Sequence, residues 1–538
     1  MAHNYTNSQA KKTVTPQSKP IPGREADMVA NSAGGFSFAL DKWKRLERFL
    51  ILGSEGGTYY IRENKLTKEN IKNSIACIKE DAGKVLTMLY NISVEGRAHK
   101  NDPAIMLLAV LFSETDDKII KHAASRMFPE ICRTGTHMFT FAQYIDDLRS
   151  WGRAIRNAFG NWYSMDPTKL EYQMIKYAGR TVQGTENQWT HKDILRSAHV
   201  KPMTPVHAQL FKYAVKNEFT EDLPLVYATE ELKSLRAEDV KRSIELIAEH
   251  KIPQDAWPTE IKNNVAVWKA ALKDIPLKAL IRNLNRLTSI GVLDSGQNEY
   301  VSMVVSKITD EAYLKKSRIH PMDILLAQKT YSMGRGFRGN LTWTPVRKIV
   351  DALEQAFYLS FKTIEPSGKR MLLGIDVSGS MSSEISSGIL TCAECSALMA
   401  MVTARVEKEY TIMAFNNRFQ KLDITPNMSF EAILNKVDGV NFGGTDCALP
   451  MIWAKEKKYM FDAFIVYTDN ETWAGNIQPV QALKQYRNQF VHDARLIVVG
   501  MNSNGFSIAD PNDAGMLDIV GFDANAPRVI SEFVAGKI

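Results

Sequence analysis

The spacing of apolar residues changes period once along the chain, near Gly368, and that change limits what the chain can fold into. Before it, apolar residues recur three and four apart in segments 71–90, 103–113, 118–128, 230–249, 261–272, 277–290 and 346–361, with short Pro, Gly, Asp or Asn breaks between them. After it, apolar runs at 371–375, 410–415, 464–467 and 496–499 alternate with helical segments at 392–408, 430–436, 448–455 and 480–489. The first pattern predicts an all-α region. Short helices continued over about 300 residues exceed what one bundle can bury, so HEAT-like stacked helix pairs are the expected solution. The second predicts a doubly wound α/β domain with a parallel sheet. Three parts follow: a flexible tail at 1–30, rich in Lys, Thr, Pro, Ser and Asn; a helical-repeat domain at 31–366; and an α/β domain at 367–538.

Charge separates the two large parts. Residues 361–538 hold 16 Lys+Arg against 20 Asp+Glu, which leaves 51 against 40 on residues 1–360. An anionic partner therefore suits the helical part better than the C-terminal one. The longest apolar run, 104–112, is too short to span a bilayer, and the polar start lacks a signal-peptide core, so the expected location is cytoplasmic. The five cysteines are scattered and odd in number, which argues against a disulfide framework. Cys392 and Cys395 fall inside a helical segment and read as small buried hydrophobes.

Gly374-Ile-Asp-Val-Ser-Gly-Ser380 follows an apolar run and places one carboxylate and two hydroxyls on a sharp turn. Gly443-Gly-Thr-Asp446 adds a hydroxyl, and Phe464-Ile-Val-Tyr-Thr-Asp469 is a second apolar strand ending in a carboxylate. Asp376, Ser378, Ser380, Thr445 and Asp469 are hard oxygen donors of the kind Mg2+ or another divalent cation takes. The pattern resembles the metal-ion-dependent adhesion site of von Willebrand factor A domains. An open coordination position there would admit an acidic protein ligand. The alternative is a Gly-Ser turn with two strand-end aspartates in ordinary capping roles.

Between Trp151 and Pro202 basic, aromatic and histidine residues interleave: Arg156, Trp162-Tyr163, Lys176-Tyr177, Arg180, Trp189-Thr-His-Lys192, Arg196, His199 and Lys201. Cations neutralise phosphates and aromatic faces stack unpaired bases, which suits single-stranded RNA. Lys192, Arg196 and His199 share one face of a helix starting near Thr190. The same composition equally suits core tryptophans under a solvated basic face.

Gly53-Ser-Glu-Gly-Gly-Thr-Tyr-Tyr60, Trp189-Thr-His-Lys-Asp193, Arg282-Asn-Leu284, Arg318-Ile-His-Pro321, Gly443-Gly-Thr-Asp-Cys447 and Ser507-Ile-Ala-Asp-Pro511 occur in order. Together they resemble the Ro autoantigen family, whose N-terminal module is called TROVE, from about Gly34 to the C-terminus. The resemblance implies a ring of HEAT-like repeats joined to a von Willebrand factor A domain. It implies binding of small noncoding Y RNAs on the outer surface and entry of the single-stranded 3′ ends of misfolded RNAs into the central hole. The implied role is RNA quality control and small-RNA stabilisation by a monomer, with an exoribonuclease left open as a further partner. His191, Lys192, Arg196, His199 and Lys201 would then lie on the outer surface, with Lys176 and Arg180 nearby, and Arg282 and Arg318 match family arginines. The segment 178–188 departs from the family by its length.

No Walker A loop, HExxH, nucleophile elbow or His-Cys pair is present, so the reading is a binding protein rather than an enzyme. The second reading is a metal-dependent protein-interaction scaffold.

Overall fold

The structure is a computed structural model and describes residues 14–538 apart from 55–57, 59, 178–188, 295, 297, 337–339, 362–363, 386–388 and 439–442. The helical period before Gly368 becomes a succession of helices from Lys42–Leu52 to Arg347–Leu359. Segment 230–249 is two helices, Pro224–Ser234 and Val240–His250. The Asp239 carboxylate accepts the Arg236 N–H at 2.9 Å and closes a turn between them. That local bond competes with a continuous helix, which periodicity alone does not reveal.

Helices Lys118–Ile131, Arg153–Tyr163 and His191–Ala198 pack side by side in one layer, and helices Asp102–Glu114, Gly135–Leu148 and Pro167–Tyr177 in another. Ties between neighbours are specific. The Ser125 hydroxyl donates to Ala154 O at 2.8 Å, and Asn161 Nδ2 donates to Ser125 O at 2.9 Å. The succession then returns on itself. Arg318 Nη1 donates to Val94 O at 3.4 Å, His320 Nε2 lies 3.2 Å from Arg97 O, and His99 Nε2 lies 3.1 Å from Asp323 Oδ1.

The C-terminal sheet runs in the order Met516–Val520, Arg495–Gly500, Ala463–Thr468, Met371–Asp376, Tyr410–Phe415, Phe419–Lys421. All neighbours are parallel except the last strand, which is an antiparallel edge. Alternate residues face opposite layers, as a strand requires. Leu373, Ile375, Ile465, Tyr467, Ile497 and Val499 join the core shared with the helical part. Leu372, Phe464, Val466, Leu496 and Val498 pack in a second core with Ala454, Ala482 and Tyr486 on the other face.

The expected flexible tail is corrected for residues 14–30; residues 1–13 lie outside the described residues. Strand Met28–Ala30 pairs with Phe36–Ala39, which pairs with Phe506–Ser507 of the C-terminal domain. Gln17 is buried, and its Nε2 donates to Asp446 Oδ1 at 2.6 Å and to Ile477 O at 2.9 Å. A polar side chain fully satisfied by a distant domain is ordered despite its composition. At Gly35 a β-carbon would lie 1.9 Å from Thr472 O, so only glycine permits this approach.

Helix Lys42–Leu52 carries the joint between the two large parts. Arg48 has 1 % of its side chain exposed and pairs with Asp518, while its Nη1 donates to Asn504 Oδ1 at 2.9 Å and Phe506 O at 3.1 Å. Truncating one partner of a buried ion pair strands the other charge, at a cost of about 3–5 kcal/mol. Arg48→Ala is expected to lower thermal stability by several degrees. An unchanged unfolding curve would contradict this account of the joint.

Candidate nucleic-acid interface

The layer of helices 118–131, 153–163 and 191–198 puts apolar residues inward and cations outward, helix by helix. In Lys118–Ile131, Phe128 and Ala124 are buried while Lys118, His122 and Arg126 are exposed at four-residue spacing. In Arg153–Tyr163, Ile155, Phe159 and Trp162 are buried while Arg153 and Arg156 are exposed. In His191–Ala198, Ile194 and Leu195 are buried while Lys192 and Arg196 are exposed. His199 and Lys201 continue the exposed basic row. The last helix is held by a capping box, in which the Thr190 hydroxyl accepts from Asp193 N and the Asp193 carboxylate accepts from Thr190 N.

His191 does not belong to that row. It is 5 % exposed, its Nδ1 lies 2.9 Å from the Tyr163 hydroxyl, and Phe139 and Trp162 pack on its ring. Burial pushes its pKa down to about 3, so it is neutral and cannot serve as an outer phosphate contact. The tryptophans go to packing as well. Trp162 is fully buried with Nε1 donating to Cys132 O at 2.7 Å, and Trp151 stacks on Phe159 at 4.7 Å and on Trp189 at 5.1 Å. Arg180 lies outside the described residues.

Lys176 stands elsewhere. With Arg282 and Arg318 it lines a cavity of about 760 Å3 that the returning helices enclose. Its ammonium lies 5.6 Å from the ring centroids of both Tyr172 and Tyr177. Arg133 and Lys278 also line the cavity, so among the described residues five cations and the carboxylate Asp323 line it. Arg133 Nη1 donates to Ser93 O at 2.8 Å, and Lys278 pairs with Asp323 at 2.8 Å. Arg282 pairs with Asp255 at 3.3 Å. His137, on the same wall, is held down at about 4 by burial and by Arg133. Sequence reading missed Arg126, Arg133 and Lys278. The four-residue spacing of Lys118, His122 and Arg126 was the available signal for the first.

In the C-terminal domain all five expected ligands are buried, and Asp376 and Asp469 stand at the ends of neighbouring parallel strands. Asp376 Oδ1 accepts from Ser378 N at 2.9 Å and Oδ2 from the Thr468 hydroxyl at 2.6 Å. The Ser378 and Ser380 hydroxyl oxygens lie 3.3 Å apart, and Asp469 Oδ1 accepts from Glu471 N at 3.2 Å. Burial raises both carboxyls above their ordinary range, and the charge of Asp469 raises Asp376 further. The expectation of Mg2+ or another divalent cation is corrected. Among the described residues no group of three or more His, Cys, Asp or Glu side chains is placed to hold a metal ion. Among the described residues two carboxylates, Asp376 and Asp469, meet here, and each oxygen of Asp376 accepts one hydrogen bond from the protein. The constellation is a buried polar junction, and the acidic protein ligand expected at the metal loses its anchor. All five cysteines are free and buried. Among the described residues no helix is long and apolar enough to cross a membrane.

A returning stack of helices with a basic outer row, a cation-lined cavity and a doubly wound C-terminal domain defines a helical-repeat ring protein of the TROVE type. The TROVE domain profile matches residues 29–252 and 252–332, and the Ro60 vWA domain profile matches 370–534. The chain is 37 % identical over 533 residues to RNA-binding protein RO60 of Deinococcus radiodurans, covering 98 % of this chain and 99 % of that protein. It is 36 % identical over 592 residues to RNA-binding protein RO60 of Caenorhabditis elegans, covering 95 % and 90 %. The crystal structure of the Deinococcus radiodurans RO (RSR) protein superposes with a TM-score of 0.70 at 37 % identity, covering 93 % of this chain and all of that one. The chain belongs to the Ro60 family.

The buried histidines set a pH dependence. His320, on the ring's seam, accepts the Met322 N–H on Nδ1 at 3.1 Å and presents Nε2 to Arg97 O. Both contacts fit the neutral tautomer, and burial holds its pKa down to about 3. His320 and His191 must therefore take up protons on unfolding below about pH 6.5. The histidines' contribution is full above that pH and falls toward pH 3, by about 1.4 kcal/mol per pH unit for each. The double variant His191→Phe/His320→Asn is expected to flatten the loss of stability between pH 6.5 and 5. An equal slope in both proteins would contradict it.

Proposed function

We infer that this chain is an RNA-binding protein that holds small structured RNAs on its outer basic row and takes single-stranded 3′ ends into its cavity. The observation that carries this reading is the separation of two cationic surfaces by two layers of helices. Lys118, Arg126, Arg153, Arg156, Lys192, Arg196 and Lys201 are exposed on the outer row, while Arg133, Lys176, Lys278, Arg282 and Arg318 line the cavity. Phosphate neutralisation supplies most of the affinity of such surfaces and makes it dependent on salt. The exposed outer row suits a folded RNA, whose phosphates it can meet without a strand end. The cavity suits a single strand, because a double helix brings two phosphate rows that must enter together. The relatives named above are RNA-binding proteins, and their coverage of nearly the whole chain supports carrying that activity here.

Y-like small noncoding RNAs are the structured ligands and misfolded RNAs with unpaired 3′ ends the threaded ones. The role is stabilisation of small RNAs and RNA quality control, performed by a monomer in the cytoplasm. An exoribonuclease tethered through the bound RNA fits the same arrangement, since the outer row leaves the cavity open for a second strand.

The test is a pair of variants. Lys192→Ala with Arg196→Ala is expected to weaken binding of a stem-loop RNA and to reduce the slope of log affinity against log salt by about two. Binding of a tailed RNA through the cavity should persist. Lys176→Ala with Arg318→Ala should do the reverse. Equal effects of both pairs on both RNAs, with the fold intact by circular dichroism, would mean that the surfaces are not separate sites.

A further inference from the structure

The C-terminal domain is acidic as a whole, yet one corner of it is basic and aromatic. The edge strand Phe419–Lys421 and the helix Leu449–Lys457 meet there. Arg418, Lys421, Lys457 and Lys458 are exposed, against Asp423 and Glu456 among their sequence neighbours. Lys421 approaches Asp423 only to 3.8 Å.

A row of rings runs between these cations. Phe419 lies 5.4 Å from Trp453, and Trp453 lies 5.1 Å from Tyr459 with an interplanar angle of 33°. Tyr459 is 52 % exposed, and Met460 beside it is 44 % exposed. The Tyr459 backbone is fixed on both sides. Its N–H donates to Ala454 O at 2.9 Å, and its carbonyl accepts from the Tyr486 hydroxyl at 2.8 Å. Lys458 ends the helix in the left-handed region with φ of 57°, which sets the turn that presents the tyrosine. The ring is therefore a rigid half-exposed platform backed by Trp453 and flanked by two lysines.

We propose that this corner is an accessory site for single-stranded RNA, taking a stretch of strand that the ring does not hold. The inference rests on the RNA-binding reading above. A preordered aromatic ring beside cations stacks a base while the lysines pair with the flanking phosphates, a combination tolerant of sequence. An acidic peptide would use the lysines and leave the half-exposed tyrosine without a role. The strand Phe419–Lys421 adds a free sheet edge, and its exposed Lys421 extends the cationic track along it.

The experiment uses the full chain and the triple variant Lys457→Ala/Lys458→Ala/Tyr459→Ala. The probes are one RNA duplex carrying either a short or a long 3′ uridine tail. The unmodified protein is expected to bind the long tail about fivefold or more tighter than the short one. The variant should lose that gain, keep its affinity for the short tail, and show a salt slope lower by about two on the long tail. Long-tail binding as tight in the variant as in the unmodified protein would overturn the proposal. So would displacement of the long tail by polyglutamate as effectively as by polyuridine, which would assign the corner to acidic polypeptides. If the triple variant unfolds, Lys457→Glu/Lys458→Glu with Tyr459 kept gives the same comparison. Failure of the unmodified protein to bind either probe would overturn the RNA reading itself.

Discussion

Arg97 is where three parts of the molecule meet, and the remaining architecture depends on its bonds. Its carbonyl faces His320 Nε2 at 3.2 Å and accepts the Ala524 N–H at 3.3 Å. Its guanidinium pairs with Asp523 and with Glu47. One residue thus joins the start of the helical stack, its return some 220 residues later, and the C-terminal domain. Burial opposes its charge, and the two carboxylates more than offset that, keeping the guanidinium protonated. A stack of helices left open would present its first and last apolar faces to water. Closing it demands polar contacts at the seam, since backbone carbonyls such as Val94 O and Arg97 O meet there.

Closure creates the cavity, and the cavity explains the placement of its cations. Arg133 and Arg318 each donate to a carbonyl of the 93–94 segment, so they serve the seam and the lining together. Lys278 and His99 hold Asp323 ionised against its burial. Among the described lining residues, cations outnumber the one carboxylate. The outer row arises differently, from helices that spend their apolar faces on the layer beneath and have only solvent opposite. Two cationic surfaces result, one exposed on the outer helices and one lining the cavity.

Most of the layout was legible because it depends on period. Strands 371–376, 410–415, 463–468 and 495–500 lie where apolar runs place them, and Lys192 and Arg196 face outward as a helix frame requires. His191 was misread because a helix turns its neighbour Lys192 outward while pointing His191 at Tyr163, which is 28 residues away in sequence. Residues 14–30 read as a tail because Gln17 meets Asp446 and Ile477, partners that no local window contains. The motif placed Asp376 and Asp469 at the ends of neighbouring parallel strands, with Ser378 and Ser380 on the turn after the first. What the motif could not show is that no third acidic, histidine or cysteine side chain joins them among the described residues. The edge strand Phe419–Lys421 was too short to register as a period at all.

The central claim is that the ring reads a free single strand as well as a charged surface. It is tested most directly by comparing one RNA duplex in three forms at physiological salt: with a single-stranded 3′ tail, with blunt ends, and with the tail closed by a stable hairpin. The account predicts much tighter binding of the tailed form, and loss of that gain when the hairpin closes the tail. Equal affinity for all three forms would contradict it, leaving an outer charged surface as the only RNA site.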